Sequence, residues 1–320
     1  MAWYTSPMKT QYAWRDGAFT PLSETAVPFL THSLHYGSAV FEGIRFYNTA
    51  QGPAVFRLHD HVSRLFFSAK TMSMRIPFSQ KTIEHAILEL IKKNGLTSGY
   101  IRPLVYYGEK MGLLPTNTPV HIAIACWPWG KYLTKETVAV KTSSFLRVHP
   151  RTSVMTAKIS GNYANSVLAS LEARREGYDE ALFLGHAGNI AEGPGENIFF
   201  VKGKTLFTPP EGSILPGITR NSIMTIAKDL GYTIKEQAIK PKDLKKFDEA
   251  FFTSTAVEVN GIGKIAGIVF NKQKECPTTK RLRETYAQIV SGELPRYKKW
   301  LTGGSKARWP LMAQAVLDIK

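Results

Sequence analysis

The spacing of apolar residues divides the chain into short strands and a few amphipathic helices. Gln11 to Arg15, then Asp16-Gly17, then Ala-Phe-Thr predicts a hairpin, because Asp-Gly tolerates positive φ at both central turn positions. The second half of Leu34 to Tyr47 alternates and is rich in aromatics, as a strand requires. Gln51-Gly52-Pro53 turns the chain into a further strand, Ala54 to Leu58. Asp60 opens a helix that runs to about Met72 and carries Arg64 in its early turns. Ser79 caps another, in which Ile83, Ala86, Ile87, Leu90 and Ile91 keep helical spacing. Lys92-Lys93-Asn94-Gly95 ends it with basic residues and a glycine. Tyr100 to Tyr107 and Val120 to Trp127 follow as strands, so the first part of the chain is an α/β unit of antiparallel character.

Residues 127–136 have no periodicity and predict a connection between two domains, a place where ligands tend to bind. Beyond it lies a strand from Val138 to Ser144. Lys158 then stands at the end of a β-rich run, and a helix runs from about Asn162 to Glu176, stopped by Gly177. Glu180 to Leu184 and Asn197 to Val201 predict a hairpin turning at Ala187-Gly188-Asn189, with a second turn at Lys202-Gly203. Ser213 to Thr219 is a loop feeding a helix from Arg220 to Leu230. A strand from Glu249 to Thr253 runs into Ser254-Thr255-Ala256, a hairpin is expected around Asn260-Gly261, and a last helix spans Thr278 to Val290. The expected organisation is an N-terminal α/β domain (1–126), a connection (127–136), a second domain (137–302) and an extension of different character (303–320).

Composition narrows the class. A hydrophobic fraction of 43% with 21% charged residues is that of a folded globular chain. No stretch reaches the roughly 18 apolar residues of a membrane helix, and the N-terminus has no basic segment followed by an apolar run. The two cysteines, Cys126 and Cys276, are far apart, which points to a cytoplasmic home and leaves no zinc site. The net charge of +16 raises the question of nucleic acid, but the basic residues are spread along the chain without a zinc-finger or RNP-like pattern. An anionic substrate or phosphate cofactor accounts for the charge equally well. No glycine-rich dinucleotide fingerprint or Walker loop is present.

The candidate chemistry centres on Lys158, set among small residues in Thr156-Ala-Lys-Ile-Ser-Gly-Asn-Tyr163, the setting of a lysine at the edge of a cleft. A nucleophilic lysine needs burial, and any one lysine is most often merely solvated. Downstream, Glu192-Gly-Pro-Gly-Glu-Asn197 pairs a carboxylate with glycines that let backbone approach a flat ligand, although the same residues also suit an ordinary bend. Leu215-Pro-Gly-Ile-Thr-Arg220 leads into a helix whose free N–H groups suit a phosphate, or are simply capped by Thr219. Ser254-Thr-Ala256 offers a second anion-binding turn.

Together with His35-Tyr36-Gly, Phe41-Glu-Gly-Ile-Arg45, His61-Val-Ser-Arg64 and Tyr100-Ile-Arg102, these motifs resemble the branched-chain amino-acid aminotransferases, fold-type IV enzymes that use pyridoxal 5'-phosphate (PLP). The resemblance spans about residues 10–300 and implies a smaller N-terminal α/β domain with a larger C-terminal domain built on a barrel-like β core. It implies that Lys158 carries PLP as a Schiff base and shuttles the proton between Cα and C4′. Glu192 then meets the pyridine nitrogen, Tyr163 stands by the phenolate oxygen, and Arg64, Ile218, Thr219 and Thr255 hold the phosphate. Thr255 and Ala256, with Tyr100, receive the α-carboxylate. Tyr36, Arg102 and Tyr132 receive the distal carboxylate of glutamate, while Phe41 and Met111 line the side-chain pocket. The activity implied is exchange between leucine, isoleucine or valine and 2-oxoglutarate in a homodimer or assembly of dimers, with no nucleic-acid or membrane partner. D-amino-acid transaminase, (R)-amine transaminase and aminodeoxychorismate lyase share the lysine; the Phe41–Arg45 and Tyr100–Arg102 motifs favour the branched-chain enzyme.

Overall fold

The computed structural model describes residues 10–130, 133, 135–270 and 276–303. Two sheets share the chain. The first contains β1 (Tyr12–Arg15), β2 (Ala18–Pro21), β3 (Val40–Phe41), β4 (Ile44–Thr49), β5 (Gly52–Phe56), β6 (Gly99–Tyr107) and β7 (Val120–Trp127). All its pairings are antiparallel. The helices α2 (Leu58–Thr71) and α3 (Gln80–Lys93) pack on it, after the single turn and a half of α1 (His32–Tyr36). Ser79 caps α3 by accepting from the Thr82 N–H, and Gly95 adopts φ +62° past its end, as the sequence predicts. Leu58, Val62, Leu65 and Ala69 on α2 and Ile83, Ile87 and Leu90 on α3 bury one face against Ile44, Phe46, Ile101 and Ile122. This apolar burial is the main force holding the layer together.

The second sheet runs in the order β12-β11-β10-β13-β14-β8-β9 and mixes parallel and antiparallel pairs. Its strands are β8 (Thr137–Leu146), β9 (Glu180–Leu184), β10 (Asn197–Lys202), β11 (Thr205–Thr208), β12 (Thr233–Glu236), β13 (Glu249–Ser254), β14 (Glu258–Ile265) and the short β15 (Ile268–Val269). The helices α4 (Tyr163–Arg175), α5 (Ile218–Asp229) and α6 (Pro277–Val290) accompany it. Strands β10 and β13 are buried on both faces: Phe199 and Phe251 stack in one core, while Ile198, Phe200 and Phe252 lie in another. That is why their sequences read as unbroken apolar runs. After α6 the chain returns to the first sheet, where β16 (Leu301–Gly303) pairs with β5. No helix among the described residues is long and apolar enough to cross a membrane.

Three sequence expectations are corrected. Strands β9 and β10 do not form a hairpin with each other: β9 pairs with β8, and β10 pairs with β11 and β13. The tight return after Gly188 is made by Ile190–Glu192 against Phe183 and Leu184, and the Gly193-Pro194-Gly195 turn then sends β10 elsewhere. Asn260-Gly261 is not a turn. It lies inside β14, where Gly261 permits close approach of the Glu136 carbonyl and Thr137 beside β8, and the β13–β14 turn is Thr255-Ala256-Val257 instead. Finally, Lys158 does not end a β-rich run. An irregular segment containing Pro150 separates it from β8.

That segment is nevertheless firmly held. Ala157 and Ile159, on either side of Lys158, are buried in the core of the first sheet. The Lys158 N–H donates to Ser68 Oγ on α2 at 2.9 Å, and its carbonyl accepts from the Phe41 N–H at 3.1 Å. Ser160 N–H to Ala39 and Gly161 N–H to Gly37 continue the pairing. A Cβ on Gly37, which also has φ +62°, would come within 2.9 Å of Gly161 Cα, so the two glycines set the closeness of this crossing. Ser68 is fully buried, so Ser68→Ala strands a buried donor and is expected to cost about 1–3 kcal/mol of unfolding free energy. Denaturant unfolding measures it; a change below a few tenths would mean the Lys158 backbone is held by its flanking side chains alone.

Candidate active site

The Lys158 amine reaches into a cleft between the two sheets and donates to the Tyr163 hydroxyl at 2.5 Å. It lies 4.8 Å from the ring centroids of both Phe41 and Tyr163, whose rings meet edge to face. Tyr163 is the first residue of α4, so five residues of turn and 3-10 helix bring its hydroxyl back to the lysine.

The cleft wall that faces the lysine is a buried carboxylate cluster. Glu192 is 3% exposed and accepts from Arg147 Nε at 2.8 Å, from Asn197 Nδ2 at 3.0 Å and from the Leu215 N–H. Burial pushes its carboxyl above the ordinary range, against the pull of Arg147. Arg147 was not among the residues singled out from sequence; it sits in an aperiodic segment, and only its burial and its partner identify it. Asn197 also donates to the Leu215 carbonyl, tying Glu192 to the loop before α5. A Cβ on Gly217 would lie 1.9 Å from Asn197 Oδ1, so this loop position accepts only glycine.

Gly217 caps α5 without a side-chain hydrogen bond, and the first residues of the helix, Ile218 and Thr219, line the cleft. Thr255 and Ala256 line the same cleft from the β13–β14 turn. The two turns in which the sequence suggested anion binding thus lie on one cleft. Arg64 also lines the cleft, but its fork is already engaged. Nε and Nη2 bind the two oxygens of Glu42 at 2.6 and 3.0 Å, and Nη1 donates to the Pro216 carbonyl at 2.9 Å. Glu42 is fully buried and also accepts from His61 Nδ1 at 2.8 Å. Burial alone would raise its carboxyl, but Arg64 and His61 outweigh that and hold it well below the ordinary range. Arg64 therefore offers the cleft a positioned edge of a neutralised pair rather than an open fork. Glu42 and His61 stand within sequence motifs, but only their burial and their bonds to each other and to Arg64 give them a part.

A larger cavity, of about 640 Å³, adjoins the lysine. Tyr100, Phe41 and Arg102 line it, together with Trp129, which the sequence reading did not single out. Arg102 lies over the Phe41 ring at 4.6 Å, and its Nη2 stands 3.4 Å from the Tyr100 hydroxyl. Tyr36 and Met111 do not line either space: they are 39% and 48% exposed, and the Tyr36 hydroxyl accepts from the Gly112 N–H. Tyr132 lies outside the described residues, as does most of the C-terminal extension.

Glu196 lines both spaces and accepts from the Gly195 N–H at 2.9 Å. Burial, with Glu180 and Glu192 nearby, pushes its carboxyl up to about 8. A carboxyl raised in the folded chain favours the fold while protonated, and that contribution is lost as pH rises from the unfolded value near 4.5 through about 8. Glu196→Gln is thus expected to flatten the fall of melting temperature between about pH 5 and pH 8. Parallel pH profiles for the variant and the parent would show Glu196 to be ionised in the fold.

Comparison with known proteins identifies the family of the whole chain. Residues 39–265 match the family described as Amino-transferase class IV. The branched-chain-amino-acid aminotransferase of Pseudomonas aeruginosa is 43% identical over 294 residues, covering 90% of this chain and 96% of that protein. That of Escherichia coli K12 is 41% identical over 302 residues, covering 92% and 97%. Among solved structures, a branched-chain amino acid aminotransferase (T.th.) complexed with N-(5'-phosphopyridoxyl)-L-glutamate superposes with a TM-score of 0.90 at 43% identity, covering 93% of this chain and all of the other. A match over residues 39–265, which take in Lys158, Glu192 and the cleft-lining turns at Ile218–Thr219 and Thr255–Ala256, means that the chain belongs to the class IV aminotransferase family.

Proposed function

We propose that this aminotransferase exchanges an amino group between L-leucine, L-isoleucine or L-valine and 2-oxoglutarate in the cytoplasm, using PLP, to give branched 2-oxo acids and L-glutamate or the reverse. The observation that carries the reading is the cleft in which the Lys158 amine looks across to the buried Glu192–Arg147 pair, with free helix-start N–H groups beside it. The residues fit PLP. Glu192 suits its ring nitrogen and Tyr163 its phenolate oxygen. The N–H groups at Ile218 and Thr219, with Thr255 and the Arg64 edge, suit its phosphate. A Cβ built on Gly195 meets nothing within 4 Å, so the cleft has room for a flat ring against backbone.

When bound, PLP supplies the electron sink that labilises the substrate Cα–H bond. The chain supplies the rest. Lys158 Nζ takes up and returns the Cα proton, and Tyr163 orients that amine through its hydroxyl. Glu192, steadied by Arg147 and Asn197, holds a proton at the ring nitrogen. The Thr255–Ala256 turn and the Tyr100 hydroxyl bind the α-carboxylate, and the aromatic wall of Phe41 and Trp129 accepts an apolar side chain. Arg102, cushioned on Phe41, receives the distal carboxylate of glutamate, with Tyr132 as its expected helper.

The same reading takes the two sheets as two domains bounded near residues 126 and 137. It pairs the chain with a second copy, so that Tyr36 and Met111 serve the partner's side-chain pocket. Their exposure outside this chain's own cavity supports that, as do the exposed neighbours Phe29, Leu34, Leu113 and Leu114.

Purified protein is expected to be yellow, and Lys158→Ala should abolish the substrate-responsive absorbance; a colourless parent that cannot be reconstituted with PLP would overturn the proposal. Arg102→Ala is expected to lower kcat/KM for glutamate on the order of a hundredfold, the loss of a charge-assisted contact, and for leucine only a fewfold. Equal losses on both substrates would remove Arg102 from carboxylate recognition. Turnover of only D-alanine or (R)-1-phenylethylamine would reassign the substrate class.

A further inference from the structure

Glu258 opens β14 immediately after the Thr255-Ala256-Val257 turn, with φ +59°. A left-handed backbone at a long acidic residue persists only where its surroundings over-determine it. The surroundings here come from the other sheet. The Tyr47 hydroxyl on β4 donates to Glu258 Oε1 at 2.8 Å, and Arg45 Nη1, two residues earlier on the same strand, lies 3.0 Å from that oxygen. Arg45 also packs against the Tyr47 ring at 5.1 Å, so acid, guanidinium and phenol form one cluster. The cluster continues into α6, where the buried Tyr286 hydroxyl stands beside both Tyr47 and Thr219. One chain of polar contacts thus runs from the β13–β14 turn through β4 to the first turn of α5. Within the β13–β14 turn itself, the local support is the ladder pairing of Glu258 with Ser254 and the Val257 N–H bond to Ser254 Oγ.

We propose that Glu258 is a positioning residue for both anion-holding turns: clamped by Arg45 and Tyr47, it fixes the Thr255–Ala256 turn, and through Tyr47 and Tyr286 it steadies the Thr219 side chain. It touches neither cofactor nor substrate. An ion pair whose carboxylate is 32% exposed contributes little to stability by itself. Its role is geometric, in carrying the register of the first sheet into two turns of the second. The inference rests on the PLP reading above, because it assigns the cofactor phosphate and the substrate carboxylate to these turns.

The test uses the full-length protein, stripped of cofactor and titrated with PLP by absorbance, beside steady-state kinetics with L-leucine. Glu258→Gln and the milder Tyr47→Phe are each expected to weaken PLP binding on the order of tenfold, the effect of losing one charge-assisted hydrogen bond. KM for leucine should rise by a similar factor, with kcat kept within about twofold. Inorganic phosphate should raise the melting temperature of the stripped parent more than that of either variant. Glu258→Gly frees the backbone while removing the ion pair, and it should weaken binding at least as much as Glu258→Gln. The proposal is overturned if both variants bind PLP and leucine like the parent, if the loss falls on kcat alone, or if Glu258→Gly matches the parent. A parent that takes up no PLP would instead defeat the functional reading itself and this inference with it.

Discussion

The active site depends on one crossing. Residues 37–41 pair with residues 158–161, and the Lys158 N–H is taken by Ser68 on α2. This brings an irregular segment, which reaches Lys158 after β8 of the second sheet, onto the core of the first, where Ala157 and Ile159 are buried. The backbone of Lys158 is therefore fixed by one half of the structure while its amine points at groups supplied by the other. A cleft between two separately packed layers can stay open without exposing either core.

The electrostatics of the cleft follow from that arrangement. Its charged groups are deeply buried and come mostly in pairs: Glu192 with Arg147, and Glu42 with Arg64 and His61. Removing one member of such a pair costs more than the pair contributes, so these contacts specify geometry more than they add stability. Pairing also spends most of the positive charge of Arg64 and Arg147 within the protein. In the proposed reading, anion binding is left to backbone N–H groups at α5 and at the β13–β14 turn, donors that need no side-chain ordering. Glu196 is the exception: burial and the neighbouring Glu180 and Glu192 raise its carboxyl against the pull of Lys158, and among the described residues it makes no ion pair.

Local chemistry made much of the fold legible. The Asp16-Gly17 hairpin, the Ser79 cap and Gly95 stop of α3, and the apolar spacing of α2 and α3 are set by neighbours a few residues apart, and the structure has them where the sequence predicts. Lys158, Tyr163, Glu192, Ile218, Thr219, Thr255 and Ala256 were likewise picked out by sequence and come together around one cleft. The failures have a common cause. Asn260-Gly261 has every local mark of a turn, yet it lies in the middle of β14, where Gly261 is used for the close approach of β8.

By itself, then, the sequence determined most helices and apolar strands and the Ser79 cap, which depend on short-range spacing, while the class of chemistry followed from the resemblance of its motifs to a family. The starts of α2 at Leu58 and of α5 after Gly217 lie a residue or two before the expected Asp60 and Arg220. Tertiary structure alone decided which strands pair, and it revealed Arg147 as the partner of Glu192 and Glu42 as the group that engages the Arg64 fork. It also set Tyr36 and Met111 outside this chain's own cavity. Those outcomes rest on burial and on contacts between residues far apart in the chain, and Lys158 is where they converge. The sequence marks the lysine, but its place at the cleft follows from Gly37 and Ser68 in the first sheet's layer, with Gly161 on its own segment, which hold its backbone there.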